Sequence, residues 1–240
     1  MSILEAKSLV KSYNGRTVVN GFSCHVKTGE AVGILGPNGA GKTTSFYMLT
    51  GLVKCDKGKV LLDNYDISNY PMYKRARLGI GYLPQESSIF RGLTVAQNIK
   101  AVLEIVEPQK YLHKQQVYEL LDEFKIAHLA NASSVLLSGG ERRRLEIARA
   151  LASKPNIILF DEPFAGVDPL AVGDIKELVQ HLRMRNIGVF ITDHNVRETL
   201  SMVDRAYIMH QGEELAHGKP EELIENKEVR KFYLGDGFKL

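Results

Sequence analysis

The first residues in the chain whose types and spacing could do chemistry are Gly36-Pro37-Asn38-Gly39-Ala40-Gly41-Lys42-Thr43-Thr44. Glycines let the main chain fold round phosphate oxygens with successive amide N–H groups pointing inward. A helix starting there adds the positive end of its dipole. Lys42 supplies a point charge for β- and γ-phosphates, and the Thr43 hydroxyl is placed to ligate Mg²⁺. The pattern carries this meaning between a strand and a helix. Ala31–Leu35 is an apolar run with strand character, and Ser45-Phe46-Tyr47-Met48-Leu49 reads as helix. The stretch is therefore read as a nucleotide-phosphate loop.

Two later stretches extend that chemistry. The apolar run Ile157-Ile158-Leu159-Phe160 ends in Asp161-Glu162-Pro163. Acid at the end of a buried strand is where a phosphate-loop enzyme holds its Mg²⁺, which makes Asp161 the metal residue. Glu162, one position on, is set to polarise an attacking water as general base. Leu137-Ser138-Gly139-Gly140-Glu141 opens a helix. Ser138 and Glu141 have the spacing of an ordinary capping box. Two glycines and a serine at a helix N-terminus also make a phosphate-binding surface, so Ser138, Gly139 and Gly140 are candidates as well.

These residues need a frame. The 240 residues suit one large domain or two small ones. An apolar fraction of 44% and a charged fraction of 25% are ordinary for a soluble globular protein. No run of ~18 apolar residues suggests a membrane span, and Met1-Ser2-Ile3-Leu4-Glu5 lacks the basic-then-apolar order of a secretory signal. The two cysteines, Cys24 and Cys55, form no metal or redox spacing and are expected as reduced thiols in a cytosolic compartment. A net charge of +3 neither demands nor excludes nucleic acid or an anionic surface.

The elements follow from pattern. Residues 3–11 and 22–26 read as strands around an Asn14-Gly15 turn, and 59–62 as a third, giving a small antiparallel sheet beside the phosphate-loop strand. Residues 71–77 read as a short basic helix and Ile80–Leu83 as a strand broken by Pro84-Gln85. From there to about Lys154 the period is helical, with Pro108 separating two helices and a third starting at Gly140 or Glu141. Strands at 157–160, 189–192 and 206–209 then alternate with helices at 174–184 and 195–202, and two short helices close the chain. The expected fold is α/β: a phosphate-loop core with an N-terminal antiparallel subdomain and an inserted helical subdomain, the core being 1–85 and 155–240 and the insert about 86–154. The run Arg142-Arg143-Arg144 suggests either an anion or nucleic-acid patch or a solvated helix face, and the solvated face is the favoured reading.

The phosphate loop, 137–141 and Asp161-Glu162, in that order and with a helical segment between the first two, closely resemble the ATP-binding cassette (ABC) ATPases over nearly the whole chain. The resemblance implies further roles. Gln85 resembles the glutamine at the core–helical junction that contacts the metal and the reacting phosphate. Phe164-Ala165-Gly166-Val167-Asp168 resembles the family's D-loop, and His194 after Thr192-Asp193 its switch histidine. Tyr13 resembles the aromatic that stacks on adenine. The implied catalytic residues are Glu162, His194 and Gln85, with ATP and Mg²⁺ as cofactors. The resemblance also implies head-to-tail homodimers, in which Lys42 and Glu162 of one copy face Ser138 and Gly140 of the other across ATP. Hydrolysis then removes the bridge and opens the dimer.

Within the family, the stretches at 79–91, 138–144, 164–169 and 191–199, and the tail Tyr233-Leu234-Gly235 with Phe238, resemble the ATPases of lipopolysaccharide-export transporters. The ATPases of branched-chain amino-acid importers, and scaffold ATPases such as those of iron–sulfur cluster assembly, are the alternatives. The export resemblance implies ATP hydrolysis at the cytoplasmic face of a bacterial inner membrane, with peripheral attachment through integral permease subunits and no nucleic-acid partner. The expected docking surface is the groove around Gln85 to Arg91. Phe90 is apolar in a polar loop there, and either receives a partner helix or packs beneath the helical subdomain.

Overall fold

The computed structural model describes residues 1–166, 172–235 and 237–238. Two sheets organise them. Strands β1 (Ile3–Tyr13), β2 (Arg16–Lys27), β4 (Lys57–Leu62) and β5 (Tyr65–Asp66) form an antiparallel sheet in the order β2-β1-β4-β5. Asn14 and Gly15 both have positive φ at the β1–β2 turn, as the Asn-Gly pair predicts. The second sheet is built from β3 (Ala31–Leu35), β6 (Ile80–Leu83), β7 (Ile157–Asp161), β8 (Gly188–Thr192), β9 (Arg205–His210) and β10 (Glu213–Gly218). It runs β10-β9-β3-β8-β7-β6 and is parallel except for the edge strand β10.

Period two on those strands builds two cores. Val32, Ile34, Ile157, Leu159 and Phe190 face one way and pack with Phe46, Met48 and Leu49 of α1 (Lys42–Thr50) and with Leu4, Leu9, Phe22 and Val60 of the small sheet. Helix α1 is thus covered by both sheets. Ala31, Leu35, Ile158, Phe160, Val189 and Ile191 face the other way. They pack with α3 (Val95–Val106), α4 (His113–Glu123), α5 (Gly139–Leu151) and α6 (Val172–Met184).

The helical stretch has clear local causes. Thr94 and Gln97 close a capping box at the start of α3. Pro108 follows its end. Asn98, fully buried on α3, spends its amide on Phe90, accepting the Phe90 N–H at 2.7 Å and donating to its carbonyl at 3.2 Å. The α2 helix (Met72–Arg77) starts one residue after the expected 71, with Pro71 as its cap. Helix α6 starts two residues before the expected 174. Helix α7 (Val196–Leu200) is shorter than expected, with Asn195 as its cap. The chain closes with α8 (Pro220–Glu225), one turn of α9 (Lys227–Val229) and a wide turn at Arg230–Leu234. No helix among the described residues is long and apolar enough to cross a membrane.

One reading is corrected. Residues 142–144 are not a solvated face, because each arginine is half-buried and engaged. Arg142 donates to the Leu137 carbonyl, Arg143 to Glu146 at 3.1 Å and Arg144 to Asp174 at 3.0 Å. The Arg143 guanidinium also lies 5.4 Å from the Phe160 ring centre. A charge run predicts solvation only when no neighbouring element covers it, and here β7 and α6 do.

Candidate functional site

The phosphate loop leaves β3 at Gly36 and enters α1 at Lys42. Gly41, the cap of α1, has φ +98, and a Cβ there would lie 2.7 Å from the Val18 carbonyl. Glycine is required by conformation and by space together. The loop walls a cavity of 440 Å³ with Val18, and Asn38, Gly39, Ala40, Gly41, Lys42, Thr43 and Thr44 all line it. Glu162 and His194 close its other side. Pro37 belongs to an adjoining cavity of 820 Å³, where Arg16, Thr17, His210 and Phe232 meet the loop. Tyr13 lines neither cavity. It is 45% exposed at the end of β1, with the Lys11 ammonium 5.3 Å from its ring centre.

Lys42 is buried, and its ammonium folds onto its own loop, donating to the carbonyls of Gly36 at 2.6 Å and Pro37 at 3.0 Å. Burial pushes its pKa down, and the Glu162 and Asp193 carboxylates partly oppose that. An ammonium held by two loop carbonyls beside this cavity can exchange them for the oxygens of an anion.

At the end of β7, Asp161 is buried and accepts the Tyr82 hydroxyl at 3.1 Å. Burial raises its pKa, and the nearby Glu162 and Asp193 charges add to the rise while the tyrosine hydroxyls oppose it. Thr192 is its partner in the β7–β8 register, and the Thr192 hydroxyl is buried without a hydrogen-bond partner. Asp161, Thr192 and the exposed Thr43 hydroxyl offer oxygen donors only, the type that suits a hard cation such as Mg²⁺; Thr43 lines the loop cavity, whereas Asp161 does not.

Glu162 has φ +44, left-handed for a residue with a side chain. Its N–H donates to the Thr192 carbonyl at 2.8 Å, and its carbonyl accepts from Ala165 at 3.1 Å, so the strained turn is held from both sides. The Glu162 carboxylate stands 3.6 Å from His194 Nδ1. Sequence reasoning missed the residue that fixes this arrangement. Asp193 is fully buried and accepts the Phe164 N–H at 2.9 Å and the Asn195 N–H at 2.7 Å. It ties the turn carrying Glu162 to the loop carrying His194. The available signal was an acid at the end of an apolar strand, the same signal that marked Asp161. Val18, on the loop side of the cavity, is a second residue that pattern gave no reason to choose.

The remaining predicted residues gather elsewhere. Gln85, Gly139 and Gly140 line a separate cavity of 490 Å³ with Arg142, Arg143 and Glu146. Glu162 is the residue it shares with the phosphate-loop cavity. Ser138 closes its expected capping box, its hydroxyl donating to Glu141 at 2.7 Å while the Ser138 N–H also reaches Glu141 at 2.9 Å. Those bonds hold the Glu141 carboxyl below its usual range. Of the D-loop stretch, Val167, Asp168 and Pro169 lie outside the described residues.

The ABC transporter family model matches residues 19–165. A probable ABC transporter ATP-binding protein of Azorhizobium caulinodans is 62% identical, over 99% of this chain and 84% of that protein. The lipopolysaccharide export system ATP-binding protein LptB of Escherichia coli strain K12 is 54% identical over the full length of both. A solved ATP-binding cassette of an ABC transporter in its ADP conformation matches with a TM-score of 0.86 at 30% identity, covering 98% of this chain and all of that one. With a phosphate loop, a strand-end acid pair and a capped glycine helix in one α/β frame, the chain belongs to the ABC transporter family as one of its ATP-binding subunits.

Proposed function

We propose that the chain is the ATP-hydrolysing motor of a lipopolysaccharide exporter and works as a head-to-tail homodimer. The observation that carries the dimer is the separation of two phosphate-binding surfaces. The loop cavity holds Lys42, whereas Gly139 and Gly140 open into another cavity of the same chain that shares only Glu162 with it. A second copy, related by a two-fold axis, brings its Ser138–Gly140 surface to the first copy's phosphate loop. Full-length likeness to the Escherichia coli and Haemophilus influenzae LptB proteins, at 54% and 56% identity, supports lipopolysaccharide as the cargo. Nothing found favours amino-acid import or a scaffold role.

In this reading Lys42 and the loop amides hold the β- and γ-phosphates of ATP, and Tyr13 stacks on the base. Thr43, Asp161 and Gln85 would hold Mg²⁺, which supplies charge neutralisation at the phosphate oxygens. Glu162 takes the proton of the attacking water. His194 carries the state of the γ-phosphate to Asp193, which ties its loop to the turn of Glu162. Gln85 lines the same cavity as Glu162, and closure of the dimer brings it to the metal.

The cargo path belongs to integral membrane partners, to which the chain attaches peripherally at the cytoplasmic face. Their seat is a 320 Å³ groove between α2, α3 and α5, lined by Met72, Ala76, Phe90, Val102 and Arg149. Phe90 does not pack away: its main chain is pinned by Asn98 and Ser134, while its ring is 45% exposed with the Arg149 guanidinium 4.8 Å above it. The test is reconstitution. Vesicles carrying the chain with its co-purified membrane proteins should release lipopolysaccharide to an acceptor only with ATP. ATP-dependent uptake of leucine without lipopolysaccharide release would replace the proposal with the importer.

A further inference from the structure

Arg75 is the largest fully buried side chain, at 1% exposure, and among the described residues it has no carboxylate partner. Every bond it makes goes to a main-chain carbonyl. Nη1 donates to Met48 at 2.8 Å and Leu49 at 2.7 Å, Nε to Tyr70 at 2.8 Å and Nη2 to Ser68 at 3.2 Å. Met48 and Leu49 lie in the last turn of α1, whose carbonyls have no partner within the helix. Helix α1 has no basic residue of its own in that turn, so Arg75 is the cation at the negative end of its dipole.

The opposite face of the joint is shaped for it. Gly51, the cap of α1, has φ +83, and a Cβ there would lie 2.8 Å from Arg75 Nε and 2.9 Å from the Tyr70 carbonyl. Burial lowers the guanidinium pKa to about 10, which leaves it charged at neutral pH. A buried cation without a counter-ion is costly and persists only where carbonyls replace its water.

The two elements joined here have different duties. The other end of α1 is Lys42 and Thr43, in the phosphate cradle; nine residues make α1 a rod about 13 Å long. Arg75 itself sits on α2, whose Met72 and Ala76 wall the groove beside Phe90. We propose that Arg75 is a positioning residue that locks the α2 wall of the groove to the carboxyl end of the phosphate-binding helix, so that nucleotide at one end of α1 and a partner seated on α2 act on one rigid unit. The partner half rests on the docking surface proposed above; the link from α2 to α1 does not. Lysine cannot reproduce it, because a single ammonium lacks the planar fork that reaches four carbonyls.

Amide hydrogen exchange on the whole chain tests the link without any partner. Saturating MgADP should slow exchange in residues 72–79 by about threefold or more, along with residues 38–44. Arg75→Gln should keep the slowing at 38–44 and lose it at 72–79, and Arg75→Lys should fall between. Equal slowing at 72–79 in wild type and Arg75→Gln would overturn the proposal. So would a wild type whose residues 38–44 are protected while 72–79 do not respond, a result that needs no folded variant. In the assembled transporter, the ratio of complex turnover to isolated-chain turnover should drop in Arg75→Lys with the membrane partners still bound, whereas a merely structural defect would lower both rates together. The docking reading is tested separately, by partner association in Phe90→Ala.

Discussion

Replacing Glu162 with glutamine isolates the proton-accepting step. The side chain keeps its length, and glutamine meets the same φ of +44, so the turn held by the Thr192 and Ala165 bonds should persist. What is lost is the carboxylate charge. At 3.6 Å from His194 Nδ1 that carboxylate is too far for a hydrogen bond, and with 25% of the side chain exposed its oxygens are open to a water in the cavity. General-base catalysis is worth about 10²–10⁴ in rate, so kcat should fall by that factor, a barrier increase of about 3–5 kcal/mol. ATP affinity should hold or tighten, because a negative charge no longer faces the phosphates. The same substitution removes one of the two carboxylates that support the Lys42 charge, so free Lys42 titrates lower still, and bound phosphate takes over that support. Single-turnover hydrolysis and equilibrium ATP binding, measured on the same preparation, separate the two effects. A variant within about tenfold of wild-type kcat, or one that loses ATP affinity in proportion to rate, would refute the assignment of Glu162 as base.

Three further outcomes follow from the geometry. Burial holds the Asp161 carboxyl above its ordinary pKa, so with Asp161 as the proposed Mg²⁺ ligand, metal affinity should fall as pH drops through that raised pKa, and Asp161→Asn should abolish both the binding and its pH dependence in calorimetric titrations. A raised carboxyl pKa means the fold favours the protonated form, a contribution present at low pH and lost as pH rises through the folded value, so at neutral pH without metal Asp161→Asn should melt no lower than wild type. Asp193→Ala orphans the Phe164 and Asn195 amides and should cost about 2–4 kcal/mol in chemical unfolding, with kcat falling more than ATP affinity. Phe90→Ala should weaken association with membrane partners while leaving nucleotide binding intact, measured by co-purification and by ATP titration of the isolated chain.

What the sequence made legible was local. The phosphate loop could be read because glycine spacing, a preceding apolar strand and a following helix all constrain the same residues. Asp161 could be read because an apolar run ended in acid, and the Ser138–Glu141 box because capping chemistry is set by four consecutive residues. The three-arginine run misled because its partners, Asp174 and Phe160, are distant in the chain. Asp193 was passed over for its neighbour His194: its place after an apolar strand was visible, but its burial and the two amides it accepts were not. Arg75 left no such signal: it reads as one more base in a short basic helix, and its burial depends on carbonyls 26 and 27 residues upstream. Composition and period determine which surfaces are covered only when the covering element is a sequence neighbour.

In the proposed dimer one copy of the chain holds half a nucleotide site and a second copy supplies the rest. Sedimentation of Glu162→Gln with and without ATP tests it most directly. A head-to-tail dimer requires a species of 26.8 kDa without nucleotide, a mass doubled by MgATP, and no doubling when Ser138→Arg is added to a chain that still binds ATP. An ATP-saturated Glu162→Gln chain that stays at 26.8 kDa, or a dimer indifferent to Ser138→Arg, would contradict it.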